Sequence, residues 1–338
     1  MKANKVIGLI KHLYGTLPRK SLLTLYKSFA RPHLDYADVI YDQPHNQKFC
    51  DTIESIQYNA ALAITGAIRG TSRERLYQEL GIESLRDRRW FRRLCFIFKI
   101  IKFGSPNYLF TMLPQSLNSR NPLRNHLFST IPSNTDYFSN SFLHFAIKEW
   151  NGLDPSLRET ESISLFKSSL LKFIRPCSSP VYNIFDPVGL KVLTRLRVKL
   201  SHLKEHKYRH NFADTFNPIC NCGLLENEST SHYLLRCLFY IDLRHALLAS
   251  ISNNWGDISS LSDSQKVILL LYGDEKRSND EINQAILLAT ISFLKSTERF
   301  EVPLILTLAS QIYRFLFFTF ISHLIFYPVF FLFFFKGS

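Results

Sequence analysis

The feature that most constrains this chain is a short run of cysteine and histidine residues between positions 220 and 237. Cys220 and Cys222 are separated by one residue, His232 follows after nine more, and Cys237 lies five positions beyond it. Three thiolates and one imidazole make a complete tetrahedral shell for zinc. Gly223, directly after Cys222, gives the backbone freedom to turn back. We therefore predict a structural zinc site with Cys220, Cys222, His232 and Cys237 as its ligands.

The spacing of these residues supports a metal site and also leaves an alternative open. His232 and Cys237 are about one and a half helical turns apart, so a bent or fraying helix end can aim both at one ion. A single residue between two cysteines is tighter than the usual spacing in zinc sites. The alternative interpretation is three buried structural cysteines and an unrelated histidine.

Length and charge set the broad class of the protein. The chain has 338 residues, a formal charge of +13 and a pI of about 9.5. This length fits two or three domains, and so large a positive surplus favours polyanions as partners. A soluble basic protein without such a partner is the alternative. The six cysteines form no disulfide framework, and 1–18 holds no apolar run of signal-peptide length, so we expect a reducing, intracellular setting.

Residues 1–102 are predicted to be helical throughout, with helices that start near Lys20, Asp51, Thr71 and Ser84. Pro32 is expected to stop the helix that starts near Lys20, and Gly66 with Gly70 to end the one that starts near Asp51. They hold 18 Lys and Arg against 9 Asp and Glu. The helix after Ser84 places aromatic and aliphatic residues on one side and basic residues on the other. We predict a phosphate-facing surface there, with a merely solvated face as the alternative. Its arginines are Arg88, Arg89, Arg92 and Arg93.

The amino-acid composition changes twice in the middle of the chain. Eight prolines interrupt 103–187, which we interpret as a linker with short helices at 142–150 and 164–174. A second basic helix is predicted over 188–215, beside the cysteine cluster, and helical patterns around 266–272 and 279–296 complete a domain at 188–302. The basic residues predicted to contact nucleic-acid phosphates are Lys191, Arg195, Arg197, Lys199, Lys204, Lys207 and Arg209.

Two further patterns allow other functions. His202, His206 and His210 recur every four residues, so a continuous helix would align them in a ridge, which is more often solvated than metal-binding. The tail at 303–338 is Phe-rich, and 315–335 lacks Lys, Arg, Asp and Glu. A segment of that length and composition predicts a transmembrane helix, although translated T-rich non-coding DNA would give the same run.

Six segments of the chain carry a resemblance to a known family. They are SFARPHLDYADVIY at 28–41, IESIQYNAALAITG at 53–66, YQELGIESLRDRR at 77–89, TRLR at 194–197, LKEHKY at 203–208, and the cluster at 218–237. Together they resemble the reverse transcriptases of jockey-type non-LTR (LINE) retrotransposons. Their order is more specific than any one of them, and together they cover about 2–302. The resemblance implies a helical thumb at 1–102, a linker, and a Cys-Cys-His-Cys knuckle that helps hold template RNA or target DNA.

No segment of this sequence matches the catalytic motif of that family. Its polymerase uses a Tyr-Ala-Asp-Asp turn, whereas Tyr36, Ala37 and Asp38 are followed here by Val39 within a thumb-like segment. Two-metal phosphoryl transfer needs at least two converging carboxylates. We therefore expect a mainly α-helical remnant of a reverse transcriptase, without its catalytic palm, that binds nucleic acid through phosphates.

The sequence leaves three classes of function open. A membrane protein anchored by one C-terminal helix is the main alternative to a nucleic-acid-binding remnant. An enzyme is the second, but no Gly-rich phosphate loop and no nucleophile with a positioned base stands out in the sequence, and we expect no small-molecule substrate. By the resemblance the protein belongs in the nucleus or cytoplasm, and at a membrane if the tail is made.

Overall fold

The computed structural model describes residues 2–114, 116–117, 127–129, 132–174, 184–256, 258–274 and 279–300. Over these ranges the chain is mainly helical, as the periodicity predicts. One short antiparallel sheet pairs Ser116–Leu117 with Leu127–Phe128, with Ser116 opposite Phe128. The chain divides into two compact units, Met1–Pro180 and Val181–Ser338.

The first unit contains twelve of the helices found in the described residues. They are α1 (Lys2–Leu13), α2 (Arg19–Leu25), α3 (Pro32–Asp35), α4 (Asp38–Tyr41), α5 (Gln47–Thr65), α6 (Arg73–Leu80), α7 (Leu85–Phe103), α8 (Asn107–Phe110), α9 (Asp136–Ser139), α10 (Phe142–Asn151), α11 (Pro155–Arg158) and α12 (Ile163–Ile174). A π-helical turn at Tyr26–Ala30 joins α2 to α3. The apolar faces of α1, α2, α5 and α6 meet in one core.

Pro32 does not end the helical path, contrary to its predicted role as a stop. The π-helical turn closes with a 2.9 Å bond from the Arg31 N–H to the Tyr26 carbonyl, and α3 then starts at Pro32. Proline fits the first turn of a helix because the N–H that it lacks has no intrahelical partner there. The prolyl ring therefore starts a new short helix at the place where α2 would have continued.

Helix capping was predicted correctly at α7 and wrongly at α5. The Ser84 hydroxyl accepts the Asp87 N–H at 3.0 Å, as expected for the start of α7. Helix α5 begins at Gln47, because the side chain of Asn46 caps it by accepting the Phe49 N–H. Asp51, the predicted cap, lies one turn inside α5 and forms an exposed ion pair with Arg73.

The region interpreted as a linker packs into the first unit. Helices α10 and α12 lie against α7 and share a hydrophobic core with it. Phe98 of α7 stacks on Phe166 of α12 with ring centroids 4.5 Å apart, and Trp150 of α10 meets Phe98 edge-on at 6.3 Å. All three side chains are fully buried. The structure thus divides the chain near 180, and 142–174 belongs to the core of the first unit.

In its described residues the second unit has five α-helices, and the loop with the predicted metal ligands lies between the second and the third. They are α13 (Pro187–Arg197), α14 (Lys204–Arg209), α15 (Ile241–Trp255), α16 (Asp263–Tyr272) and α17 (Asp280–Ser296). Leu193, Leu270 and Leu287 are fully buried in its core. Gly189 lets α13 approach α17, because a β-carbon there would lie 2.2 Å from the Ile291 side chain.

The basic segment 188–215 is two helices and not one. Helix α13 ends at Arg197, Lys199 has a left-handed φ of 57°, and α14 starts at Lys204. The break separates the three histidines that a continuous helix would have aligned. His206 is buried, with its Nδ1 2.9 Å from the Ser201 hydroxyl, whereas His210 is exposed. The predicted histidine ridge is therefore wrong.

The predicted membrane segment at 315–335, with the rest of the tail from 303 to 338, lies outside the described residues. Among the helices that are described, none combines the length and the apolar composition needed to cross a bilayer.

Candidate metal centre

The four predicted ligands converge on one buried point in the second unit. The ligand atoms of Cys220, Cys222, His232 and Cys237 all lie within 4.8 Å of one another. The Cys220 and Cys237 sulfurs are 3.8 Å apart, and the Cys222 sulfur is 3.3 Å from His232 Nε2. Zinc bonds of about 2.3 Å to sulfur at tetrahedral angles place two sulfurs about 3.8 Å apart. The arrangement fits a four-coordinate metal and can supply all four ligands.

A tight hairpin presents the first two cysteines. Its two sides are joined by 2.8 Å backbone bonds from Cys220 to Glu226 and from Glu228 to Pro218. The turn between them passes through Gly223 at a φ of 92°. A residue with a β-carbon strongly disfavours this conformation, so glycine is required for a hairpin this short.

A π-helical turn presents the other two ligands. Residues His232–Arg236 form this turn, and the Cys237 N–H donates to the His232 carbonyl at 2.7 Å. The bond from residue i+5 to residue i brings the two ligand side chains to the same side. An α-helix would place residues five apart about 140° around its axis. The π-helical geometry therefore explains how a five-residue spacing can serve one ion.

Glu226 orients the histidine ligand. Its carboxylate lies 2.9 Å from His232 Nδ1, on the side of the ring away from the cysteines. A proton on Nδ1 donates to this carboxylate and leaves the Nε2 lone pair directed at the cluster. Carboxylate partners of this kind fix the tautomer and raise the basicity of metal-bound histidines. Arg236 lies 3.3 Å from the same carboxylate and holds it in place.

Arg244 of α15 supports the cysteine side of the cluster. Its guanidinium is buried and donates to the Leu234 carbonyl at 3.0 Å and to the Cys237 carbonyl at 2.6 Å. Burial lowers the pKa of Arg244, whereas the nearby Cys237 and Cys222 sulfurs raise it. Three thiolates around a divalent ion leave one net negative charge, which this guanidinium balances at short range.

The three thiols differ in acidity. Burial opposes ionisation of Cys222, but hydrogen bonds from the backbone N–H groups of Leu224 and Leu238 outweigh it and lower its pKa to about 6. Burial raises the pKa of Cys220, and it raises the pKa of Cys237 to about 12. Cys222 is therefore a thiolate at neutral pH and is the natural first ligand for an incoming metal.

Glu228 connects the hairpin to neighbouring basic residues. This buried carboxylate accepts the Lys204 backbone N–H at 2.8 Å and two bonds from Arg299 at 2.7 and 2.8 Å. The Lys204 ammonium in turn donates to the Ile219 carbonyl and to the Asn221 side chain. The start of α14 is thus tied to the residues on either side of Cys220, and Arg299, just beyond α17, is tied to Glu228 of the hairpin.

The predicted basic residues of the second unit have unequal surroundings. Arg197 is buried, donates to the Leu271 carbonyl and lies over the Tyr272 ring, so its role is structural. Lys207 pairs with Asp214, and Arg209 pairs with Glu205 on the surface. Lys199 is exposed, and Lys191 and Arg195 are half-buried.

A group of cations surrounds His202. Its ring nitrogen lies 3.3 Å from Arg195, and its carbonyl accepts from Arg299 at 3.1 Å. Burial lowers the pKa of His202, and the charges of Arg195, Lys207, Arg299 and Lys191 lower it further. We call these four cations the basic patch. Lys207 and Arg299 are matched by Asp214 and Glu228, so the positive field at the ring comes mainly from Lys191 and Arg195.

The arginines of α7 face carboxylates within the first unit. Arg88 donates to Asp35 and Glu83, and Arg89 and Arg93 share Asp42 at 3.1 and 2.7 Å. Arg93 also binds Glu149 through two bonds of 2.7 Å, and Arg92 donates to the Asp35 carbonyl. The geometry does not favour phosphate contacts for Arg88, Arg89 and Arg93, because their charge is already matched by carboxylates in partly buried sites.

Asp38, in the Tyr-Ala-Asp-Val segment, is almost completely buried. Its carboxylate lies 2.8 Å from Arg92 Nε, and burial raises its pKa. Asp35, the acidic residue before it in the chain, is engaged by Arg88 at 2.8 Å. In the described part of the chain these carboxylates neutralise arginines and do not converge on an open site.

No protein-family model, curated protein or solved structure matches this chain. The site is therefore defined by its own geometry. Sequence reasoning named the four ligands but missed Glu226, Glu228, Arg244 and Arg299. Glu226 was within reach of prediction, because metal-bound histidines usually donate their second N–H to a carboxylate. Arg244 and Arg299 lie on other helices, and no spacing rule connects them to the cluster.

Proposed function

We propose that this protein is a zinc-stabilised nucleic-acid-binding module whose second unit holds single-stranded RNA or DNA by its phosphates. The observation that carries the proposal is the basic patch around His202, fastened to the metal-ligand hairpin through Glu228. Four protein ligands leave no open coordination position on zinc, so the metal has a structural role and not a catalytic one. The resemblance to retrotransposon reverse transcriptases supports template RNA or target DNA as the partner.

Metal binding is coupled to the basic patch through the hairpin. Metal binding orders the hairpin at 218–228, the hairpin fixes Glu228, and Glu228 orients Arg299 through its two bonds. Small metal loops have little apolar core of their own, so metal binding supplies much of their folding free energy. Loss of the metal is therefore expected to release Arg299 from its place in the patch as well as to disorder the loop.

The experiment is a titration of single-stranded RNA at several salt concentrations. Phosphate contacts release counterions, with a slope of log K against log salt of about −0.7 for each contact on a single strand. We expect Lys191→Gln and Arg195→Gln each to weaken binding and to reduce the slope by about 0.7. Lys266→Gln, which removes one charge on α16 outside the patch, serves as the matched control.

Three outcomes would contradict this proposal. Affinity that does not change with salt contradicts phosphate binding. Equal losses from Lys191→Gln and Lys266→Gln would show that net charge, and not the patch, determines affinity. Metal binding without measurable RNA affinity would leave the cluster as a structural element alone.

A further inference from the structure

The first unit contains a pocket of about 330 Å³ that the metal centre and the basic patch do not use. It lies beside α7, between α4 and α12. Its apolar lining comes from Val39, Phe91 and Phe96. Phe91 and Phe96 are half-buried, and Phe96 is held by Phe142, whose ring centroid is 5.2 Å away. Ligand pockets in proteins measure about 300 to 1,000 Å³, so this one suits a small organic molecule.

The rim of the same pocket is positively charged. Arg92 and Lys99 come from the α7 face, and Lys167 comes from α12. Arg92 is balanced by Asp38, but in the described part of the chain neither lysine has a carboxylate partner. Lys102, a few residues further along α7, shows the contrast, because it pairs with Glu161 at 2.9 Å.

Cys95 completes the pocket and adds no negative charge. Its side chain is buried, and burial raises the pKa of its thiol to about 11, with Lys167 and Lys99 as the opposing nearby charges. The thiol is therefore neutral at pH 7. The lining contains no acidic residue, so the two lysines are an uncompensated pair of charges above an aromatic surface.

We propose that this pocket binds an organic anion that joins a flat apolar group to a phosphate, for which a nucleotide is the simplest biological form. Lysine ammonium groups bind phosphate as point charges. Phenylalanine rings accept bases by stacking without regard to sequence. The pocket residues belong to the first unit, whereas the cysteine cluster and the basic patch belong to the second. The nucleotide can be free or part of a strand, and the experiment distinguishes the two.

The experiment uses the intact, zinc-loaded chain and AMP as the probe, with adenosine and inorganic phosphate titrated in parallel. We expect AMP to bind at least tenfold more tightly than either fragment. Lys99→Gln/Lys167→Gln should weaken AMP binding at least tenfold. Lys148→Gln/Lys172→Gln makes the same change of charge at two exposed lysines of the same unit outside the pocket, and should leave binding unchanged.

Alkylation of Cys95, followed by mass spectrometry of its peptide, reports on the pocket itself. Saturating AMP should slow alkylation in the wild type and not in Lys99→Gln/Lys167→Gln, each compared with its own rate without ligand. Protection by an oligoadenylate at lower concentration than AMP identifies a strand as the ligand, and protection by AMP alone identifies a free nucleotide. Protection should persist in the Lys191→Gln variant of the basic patch.

Three results would overturn the proposal. The first is the absence of Cys95 protection at millimolar AMP. The second is unchanged AMP binding in Lys99→Gln/Lys167→Gln. The third is binding of phosphate as tight as that of AMP, which would leave the aromatic lining without a role.

Discussion

The carbonyl oxygen of Cys237 accepts a 2.6 Å hydrogen bond from the buried guanidinium of Arg244. This contact joins the last metal ligand to α15 and places a permanent positive charge beside the thiolates. It follows the general pattern in which residues behind the ligands set their orientation and charge. The two residues are seven positions apart, and a 3-10 turn at Leu238–Tyr240 with the first turn of α15 connects them.

Replacing Arg244 should weaken metal binding while the four ligands remain. For Arg244→Met we expect a loss of 10- to 100-fold in zinc affinity, the range typical for partners of metal ligands. The cause is loss of the bonds to the Leu234 and Cys237 carbonyls and of the balancing charge. Competition against a zinc indicator measures it, with the exposed neighbour change His245→Gln as control. Equal affinity in wild type and Arg244→Met would refute the role assigned to this guanidinium.

Metal binding should release protons in a number set by the thiol pKa values. At pH 7 Cys222 is ionised, since its pKa is about 6, whereas Cys220 and Cys237 carry protons because burial raises their pKa values. Zinc requires three thiolates, so we expect release of about two protons for each ion at pH 7. Affinity should therefore rise with pH by about two powers of ten per unit, and more steeply below pH 6.

Calorimetry in buffers of different ionisation enthalpy counts these protons directly. A count near three at pH 7 would show that Cys222 is protonated in the metal-free protein. A count near zero would show that the thiols are not the ligands.

The packing of α12 against α7 predicts a large loss of stability on truncating its core side chain. Phe166 is fully buried against Phe98, so Phe166→Ala should cost about 3–5 kcal/mol in the free energy of unfolding. Leu165→Ala, at an exposed position next to it in the same helix, should change stability by less than about 0.5 kcal/mol. Denaturant unfolding measures both. Equal small effects would mean that α12 is part of a linker after all.

The buried, paired state of Asp38 predicts no polymerase activity from this chain. Primer extension on an RNA template with Mg²⁺ or Mn²⁺ should give no product, because the described carboxylates near Asp38 neutralise arginines. An active reverse transcriptase in the same buffer is the positive control. Extension that disappears in Asp38→Ala would show instead that this aspartate is catalytic.

Local patterns predicted much of the helical architecture and the four metal ligands. Ser84 and Gly66 mark a helix start and a helix end correctly because capping depends on residues close in sequence. The short helices predicted at 142–150 and 164–174 are present, but the interpretation of 103–187 as a linker differs from the structure, because sequence patterns do not show that these helices pack against α7. Neither the phosphate-facing surface predicted for α7 nor the solvated face given as its alternative anticipated the carboxylate partners of its arginines. Periodicity shows that arginines share a side of a helix, but not that Asp35, Asp42 and Glu149 lie opposite them.

The most direct test of the account is a cobalt titration of the metal-free protein, monitored through the absorption bands of a tetrahedral thiolate site. We predict saturation at one equivalent in the wild type and displacement of cobalt by zinc. Cys237→Ser should lose most of this affinity, and Cys50→Ser, at a half-buried thiol of the first unit, should keep it. Absence of the thiolate bands in the wild type, or equal binding by Cys237→Ser, would contradict the metal centre on which the account depends.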